Sequence, residues 1–117
     1  MRNFKELKIW QKGFEISVDC FNLTKAFPAE LKFSLTSQIN RSGVSIPSNI
    51  AEGSSRSSEK DYNRFLEIAL GSCFELETQL LISQEVHYGD DEIRKKILSS
   101  INEEEKMIMS FMNKLNK

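Results

Sequence analysis

The sequence is short of the residues that interrupt helices and of the residues that usually perform chemistry. Its 117 residues include two prolines, five glycines, two cysteines and one histidine. So few helix breakers favour long helices, and no segment alternates with the period of two that is typical of a half-exposed strand. One histidine, His87, and two separated cysteines are too few for a typical zinc or haem site. We therefore predict an all-α protein that is not an enzyme and has no catalytic, metal-binding or cofactor-binding residues.

An excess of one charge and long apolar runs are also missing. Sixteen basic and seventeen acidic side chains give a net charge of −1, so no overall positive field attracts nucleic acid or acidic lipid. No apolar stretch approaches the ~20 residues needed to span a bilayer. The first residues also lack the apolar segment of a signal peptide. We expect a cytoplasmic protein without a membrane partner, in which Cys20 and Cys73 are small core residues rather than a disulfide.

What is present is a set of four amphipathic segments separated by three breaks. The breaks are Phe27–Pro28, the serine-rich run at 53–58, and Gly89, because proline and glycine end helices at such positions. The predicted helices cover about 7–25, 31–53, 58–87 and 90–115. Four helices joined by short loops favour an antiparallel up-down four-helix bundle. We predict one domain over residues 1–117, with the second helix bent at Pro47.

The first helix carries two apolar stripes on opposite sides. At about 100° per residue, one side holds Leu7, Trp10, Phe14, Val18 and Phe21, and the other holds Ile9, Ile16, Cys20, Leu23 and Phe27. We predict that the first stripe faces the core, which comprises Trp10, Phe14, Phe21, Leu35, Ile39, Ile46, Phe65, Ala69, Leu76, Leu80, Ile97, Ile101 and Ile108. Soluble monomers seldom expose large apolar patches. The second stripe, Ile9, Ile16, Cys20, Leu23 and Phe27, is therefore predicted to form the interface of a homo-oligomer.

Two groups of polar residues are candidates for function. Arg56, Lys60 and Arg64 recur every four residues near a helix N-terminus, where free backbone N–H groups and cations together suit a phosphate. The alternative is a solvated face with intrahelical partners. Asn49 and Glu77 lie on inward-facing surfaces and are predicted to be structural, each with a partner on a neighbouring helix or loop. The alternative for Glu77 is a carboxylate site for a ligand or a metal.

Several segments resemble one family. They are Leu7-Lys8-Ile9-Trp10-Gln11-Lys12, Leu35-Thr36-Ser37-Gln38-Ile39-Asn40-Arg41, Ser45-Ile46-Pro47-Ser48-Asn49-Ile50-Ala51-Glu52-Gly53, Phe65-Leu66-x-Ile68-Ala69-x-Gly71-Ser72 and Glu75-Leu76-Glu77-Thr78-Gln79-Leu80. Together they resemble the four-helix-bundle proteins encoded in intervening sequences of bacterial 23S rRNA genes. The chain is also similar to the accessory protein of diversity-generating retroelements, a basic pentamer that binds nucleic acid and the reverse transcriptase.

The resemblance implies a bacterial protein that assembles into a ring of five. The sequence departs from the basic relative in its pI of about 5.9. Two functions therefore stay open. The first is an oligomer that holds RNA or DNA phosphates along the edge of Arg56, Lys60 and Arg64. The second is a ring that serves only as a scaffold for a protein partner.

Overall fold

The computed structural model describes residues 3–116, and every regular element among them is a helix. The four long helices are α1 (Lys8–Thr24), α2 (Leu35–Ser54), α3 (Glu59–Glu85) and α4 (Asp91–Leu115). Helices α1 and α3 each pack on both α2 and α4, so α1 and α3 occupy opposite corners of a four-helix bundle. The predicted all-α fold is confirmed. The antiparallel order, the bend at Pro47 and the single domain stay predictions, and residues 1, 2 and 117 of that domain lie outside the described residues.

Side chains at the helix starts explain two of the boundaries. Ser58 Oγ accepts a hydrogen bond from the backbone N–H of Asp61 at 3.1 Å, and Asp90 Oδ1 accepts one from Ile93 at 2.9 Å. These bonds satisfy N–H groups that the first turn of a helix leaves free. Helix α2 begins later than predicted, at Leu35, because residues 29–31 form a short 3-10 helix after Pro28.

The loop between α3 and α4 is closely packed against the end of α1. Gly89 has a φ of +94°, a backbone conformation that glycine adopts without strain. A Cβ at this position would lie 2.8 Å from side-chain atoms of both Leu23 and Phe27. Glycine is therefore needed at position 89 for its backbone angle and for the space it leaves.

The orientation predicted for α1 is wrong, because its two stripes exchange places. The stripe predicted to be an oligomer interface lies in the core of the chain itself: Ile9, Ile16, Cys20, Leu23 and Phe27 are all buried. The stripe predicted to face the core is largely outside, with Phe14 and Phe21 exposed and Trp10 half-buried. Replacing Ile16 by Glu would consequently test folding rather than assembly.

Small residues explain why the aliphatic side of α1 is the one that packs inward. Gly13, Ser17 and Cys20 lie on that side and are all buried. A Cβ at Gly13 would come within 3.0 Å of Ile46, and a Cβ at Gly43 would come within 3.1 Å of Cys20 Sγ. Helices α1 and α2 therefore approach more closely there than large side chains would allow.

The core predicted for the other three helices is largely confirmed. Ile39, Ile46, Ala69, Leu76, Leu80, Ile97, Ile101 and Ile108 are all buried. Leu35 and Phe65 are only half-buried. No helix within residues 3–116 is long and apolar enough to cross a membrane.

Candidate functional site

One unexplained feature of the surface is the aromatic side of α1 together with the neighbouring part of α2. We call it the α1–α2 face and define it by Phe14, Val18, Phe21 and Val44, whose exposures are 51%, 45%, 48% and 41%. Trp10 borders it and stacks against Phe14, with 5.2 Å between ring centroids. Contiguous apolar surface of this kind marks interaction sites on soluble proteins.

A groove of about 300 Å³ runs through the α1–α2 face. Its lining comes from both helices: Trp10, Phe14, Ser17, Val44, Pro47, Ser48 and Ala51. Pro47 is buried and lacks a backbone N–H, whereas Ser17 and Ala51 are small, so the groove floor offers few polar groups. Such a groove suits an apolar side chain from a partner better than a charged ligand.

The surroundings of the α1–α2 face carry little charge. Between Leu35 and Ala51 the only charged residue is Arg41, which is exposed. The acidic side chains of α1 that come nearest in sequence, Glu15 and Asp19, face Lys96 of α4 at 4.0 and 3.2 Å. The face is therefore apolar with a weakly basic margin.

The predicted basic edge is only partly assembled. Arg56 lies in the loop before α3, not on the helix, and its guanidinium pairs with Glu52 at 2.9 Å and sits over the Phe65 ring at 4.7 Å. Lys60 and Arg64 are exposed, one turn apart on α3, and have no salt bridge within residues 3–116. Lys60 and Arg64 are therefore the two cations of this edge that could contact a phosphate, whereas Arg56 already pairs with Glu52.

The N-terminus of α3 is a poor phosphate site by itself. Ser58 already accepts from one backbone N–H there, and Glu59 and Asp61 add negative charge to the first turn. The negative charges of these carboxylates already interact favourably with the helix dipole, and this is the interaction that a phosphate would otherwise make. Phosphate binding at this end would depend on Lys60 and Arg64 rather than on the helix terminus.

Asn49 belongs to a polar seam between α2 and α3. Its amide donates to the backbone oxygen of Ser45 at 2.8 Å and to Ser45 Oγ at 2.9 Å. The prediction of a partner on a neighbouring helix or loop is therefore wrong for Asn49, because both acceptors lie one turn earlier on its own helix. Ser45 in turn bonds Ser72 of α3 at 2.8 Å, and Ser42 donates to Glu75 at 3.0 Å. Ser72 and Glu75 were not among the residues predicted from the sequence, because their partners lie on another helix. Asn49 holds Ser45 in place for the contact between helices.

Glu77 of α3 lies beside a second acidic residue on the adjacent helix α4. The adjacent Glu105 of α4 is buried, and burial raises its pKa to about 7, with a further contribution from a hydrogen bond and the negative charge of Glu77. Two carboxyl groups can bond to each other only by sharing a proton, since ionised carboxylates are acceptors alone. Glu105, which was not among the residues predicted from the sequence, is the partner of Glu77.

Glu104 of α4 is an acidic residue that lies completely inside the bundle. It has no exposed surface, and neither of its carboxyl oxygens has a hydrogen-bond partner among the described residues. Burial raises the pKa of Glu104 to about 8, against a smaller lowering by Lys12. Lys12 is itself paired with Glu103 at 3.1 Å. Burial therefore favours the protonated, neutral form of Glu104 near pH 7.

Neither cysteine has the environment of a reactive thiol. Both are free and buried. Burial raises the pKa of Cys20 to about 12. The pKa of Cys73 is also raised, mainly by burial and to a smaller extent by the negative charge of Glu104. A nucleophilic cysteine needs a lowered pKa. In the part of the chain that the structure describes, no three His, Cys, Asp or Glu side chains are grouped so as to hold a metal ion.

Comparisons with known proteins agree with the helical bundle. The family profile described as "23S rRNA-intervening sequence protein" matches residues 5–110. A crystal structure of a protein of unknown function from the S23 ribosomal protein family of Bacteroides thetaiotaomicron is also similar. It is 32% identical, the alignment covers 89% of this chain and 97% of that chain, and the TM-score is 0.81. No curated protein matches this chain.

Proposed function

The chain belongs to the family of 23S rRNA-intervening sequence proteins, and on that premise we propose that it is a non-enzymatic, self-associating scaffold. It buries the α1–α2 face against another copy of itself and presents the remaining helix surfaces to further macromolecules. The observation that carries this proposal is the half-exposure of Phe14, Val18 and Phe21 along a single helix.

The energy available from this face favours association. Fully burying a phenylalanine or valine side chain is worth about 1.5–3 kcal/mol, and four such side chains are each about half-exposed. The free energy gained by burying these side chains, and the surface that they contact on the second copy, competes with the entropic cost of bringing two chains together. We propose a homopentamer of about 68 kDa, five times the chain mass of 13.5 kDa. The number five and the bacterial origin come from the family resemblance alone, whereas the cytoplasmic location is the expectation drawn from the sequence.

The mass of the assembly in solution tests this proposal. Light scattering on the wild-type chain at micromolar concentration is expected to return an oligomer, and Phe14→Glu is expected to lower the mass towards 13.5 kDa without loss of helix content. The matched control is Phe33→Glu, because Phe33 is 90% exposed in the turn before α2 and outside the α1–α2 face. A wild-type monomer, or equal effects of both substitutions, would overturn the proposal.

A second candidate function is nucleic-acid binding through Lys60 and Arg64. It is favoured by the family name, which refers to an rRNA gene, and by the absence of salt bridges of these two side chains within residues 3–116. An oligomer would repeat this pair in every copy, so weak individual contacts would act together. The net charge of −1 makes this function secondary to the scaffold.

Salt dependence distinguishes the two functions. Fluorescence anisotropy with a structured RNA fragment at ~50 and ~200 mM salt should show a steep fall in affinity if phosphates are bound. Lys60→Ala with Arg64→Ala should reduce the salt slope, whereas Lys106→Ala with Lys114→Ala on the exposed side of α4 should leave it unchanged. Absence of binding at the lower salt concentration would leave the scaffold as the function.

A further inference from the structure

A second groove lies between α1 and α4. One part of it encloses about 310 Å³, and the residues that line this part are Ile9, Lys106, Met107, Ser110, Phe111 and Lys114. A second part, also of about 310 Å³, shares Met107 and continues along α1 at Lys8, Gln11, Lys12 and Glu15. We call the two parts together the α1–α4 groove. It is separate from the α1–α2 face, because the two are built on different neighbours of α1.

The floor of the α1–α4 groove is apolar and recessed. Ile9 is 4% exposed, and Met107 and Phe111 are half-buried. The ring of Phe111 packs against that of Tyr62 of α3, with 5.7 Å between the centroids. An apolar side chain that projects from a partner helix can reach such a floor. A bilayer is instead bound by apolar side chains that project from the protein.

The rim of the groove carries an excess of positive charge. Residues 7–14 and 106–116 contain no acidic residue and four lysines, which are Lys8, Lys12, Lys106 and Lys114. Lys12 pairs with Glu103 at 3.1 Å. The other three lysines are exposed and form no salt bridge within residues 3–116. The rim therefore offers three cations to a partner.

The acidic residues around the groove do not cancel this charge. Among the lining residues the four lysines are accompanied by one acidic residue, Glu15, which lies 4.0 Å from Lys96. Glu6 lies in the short 3-10 helix before α1, which packs on α1 and α2 and not on α4. The acidic residues at the start of α3 lie on a different neighbour of α4, and they are Glu59, Asp61 and Glu67.

The spacing along α4 specifies what fits. Lys106, Ser110 and Lys114 recur every four residues and therefore form one row along the helix. At a rise of 1.5 Å per residue, the two lysines are about 12 Å apart, with the serine halfway between them. Ser110 is small and exposed, so the row has a low point between two cations. The complementary row of a partner helix is Glu-x-x-x-Leu-x-x-x-Glu.

We propose that the α1–α4 groove binds an acidic amphipathic helix of a protein partner, with carboxylates against Lys106 and Lys114 and an apolar side chain over Ser110. The inference rests on the scaffold function proposed above for the presence of a protein partner, and it requires no contact between copies. Nucleic acid fits less well, because phosphates would contact the lysines and leave the apolar floor uncovered.

Fluorescence anisotropy with a labelled helical peptide tests the groove. The probe contains the row Glu-x-x-x-Leu-x-x-x-Glu, and a comparison peptide has serine in place of the leucine. We expect saturable binding of the leucine peptide and binding of the serine peptide that is about tenfold weaker, because the leucine would be buried on the apolar floor.

Charge reversal on the rim should weaken binding. Lys106→Glu with Lys114→Glu is expected to lower the affinity for the leucine peptide by about tenfold or more. The matched control is Lys25→Glu with Lys95→Glu, which makes the same change in net charge at two exposed lysines outside the groove. It should change the affinity by less than about twofold at 0.15 M salt, where distant charges are screened.

Filling the groove tests its shape without changing the charge. Ser110→Trp places a large side chain between the two lysines and should lower the affinity for the leucine peptide by about tenfold or more. Asn102→Trp is the control, because Asn102 is exposed on the same helix and lies outside the lining of the groove. Circular dichroism checks that every variant keeps its helix content.

Loss of binding with the rim and Ser110 variants, and its retention with both controls, support the inference. No saturable binding up to ~1 mM of the chain, or equal binding of the leucine and serine peptides, overturns it. The inference is also overturned if single-stranded RNA, or vesicles of phosphatidylcholine and phosphatidylserine, bind more tightly than the peptide and lose binding with Lys106→Glu and Lys114→Glu.

The outcomes separate this inference from the proposed self-association. Phe14→Glu alters the α1–α2 face and should bind the leucine peptide as the wild-type chain does. A wild-type monomer that binds the peptide through the groove overturns self-association alone. A wild-type oligomer that does not bind the peptide overturns the groove alone.

Discussion

On one side of α1, Ile16, Cys20 and Leu23 are completely buried, whereas on the other side Phe14 and Phe21 keep 51% and 48% of their surface exposed. The exposed side carries the larger apolar side chains, so hydrophobicity alone does not explain which side is buried. The buried side has Gly13 and Ser17 among its aliphatic residues, and there α2 comes within van der Waals contact. The difference indicates that close fit selected the core side, and it leaves the aromatic side exposed.

The largest expected effect comes from placing the same charge on each side of α1. Ile16→Glu would bury an unpaired carboxylate, at a cost of about 5 kcal/mol or more, comparable to the total stability of many domains. Phe14→Glu places the carboxylate in solvent and should cost under about 1 kcal/mol. Circular dichroism and urea unfolding measure both. A cooperative, native-like transition for Ile16→Glu would show that the two sides are assigned wrongly.

A smaller effect is expected from Glu104, which lies behind the buried side of α1. Its pKa is raised from 4.5 to about 8 in the folded chain, so the folded state binds more protons than the unfolded state between these values. Stability should therefore fall as pH rises from about 5 to 8 and level off above 8. At ~1.4 kcal/mol per pKa unit, the loss from this group is up to about 5 kcal/mol.

Glu104→Gln removes that ionisation and should flatten the pH dependence. The groups around Glu104 are Lys12 of α1 and Cys73 of α3. Burial and the charge of Glu104 raise the pKa of the Cys73 thiol, so this thiol stays protonated between pH 5 and 8. The variant should be more stable than the wild-type chain at pH 8.5 and similar to it near pH 5. Part of the slope should persist through Glu105, whose pKa is about 7. Equal slopes for variant and wild type would contradict the assignment.

The smallest expected effect compares two glycines. A Cβ at Gly13 would lie 3.0 Å from Ile46, which is fully buried, and 3.0 Å from Glu104 Oε2. Gly13→Ala should consequently destabilise the chain by about 1–2 kcal/mol, after the gain in helix propensity is subtracted. Gly71→Ala, with open space around its Cβ, should instead stabilise the single copy by about 0.5–1 kcal/mol. If the urea midpoints of Gly13→Ala and Gly71→Ala shifted in the same direction, the proposed steric conflict between a Cβ at position 13 and Ile46 would be contradicted.

Part of the candidate site was predictable from the pattern of α1. Two apolar stripes on one helix correctly indicated that more apolar surface exists than one core requires. The prediction assigned Ile9, Ile16 and Leu23 to the wrong side, because the helical period gives the angle between stripes and not their direction. A row of small residues, Gly13, Ser17 and Cys20, was the available signal, since small residues accompany close helix contacts.

The exposed side of α3 was less accessible to sequence reasoning. Phe74 and Leu81 lie at the margins of the apolar stripe of α3, and they are 49% and 50% exposed. Whether a side chain at the margin of a stripe is buried depends on the position of the neighbouring helix, which one sequence does not specify. The same holds for Glu105, whose partner Glu77 comes from another helix.

The sequence by itself determined the number of helices, their breaks at Phe27–Pro28 and Gly89, and most core positions of α2, α3 and α4. These features are local, because they depend on helix breakers and on a period of 3.6 residues within one segment. Only the tertiary structure decided which side of α1 is buried, and it left Phe14, Phe21 and Gly71 facing solvent. Those outcomes depend on how closely two helices fit, which is a property of pairs of segments and not of either segment alone.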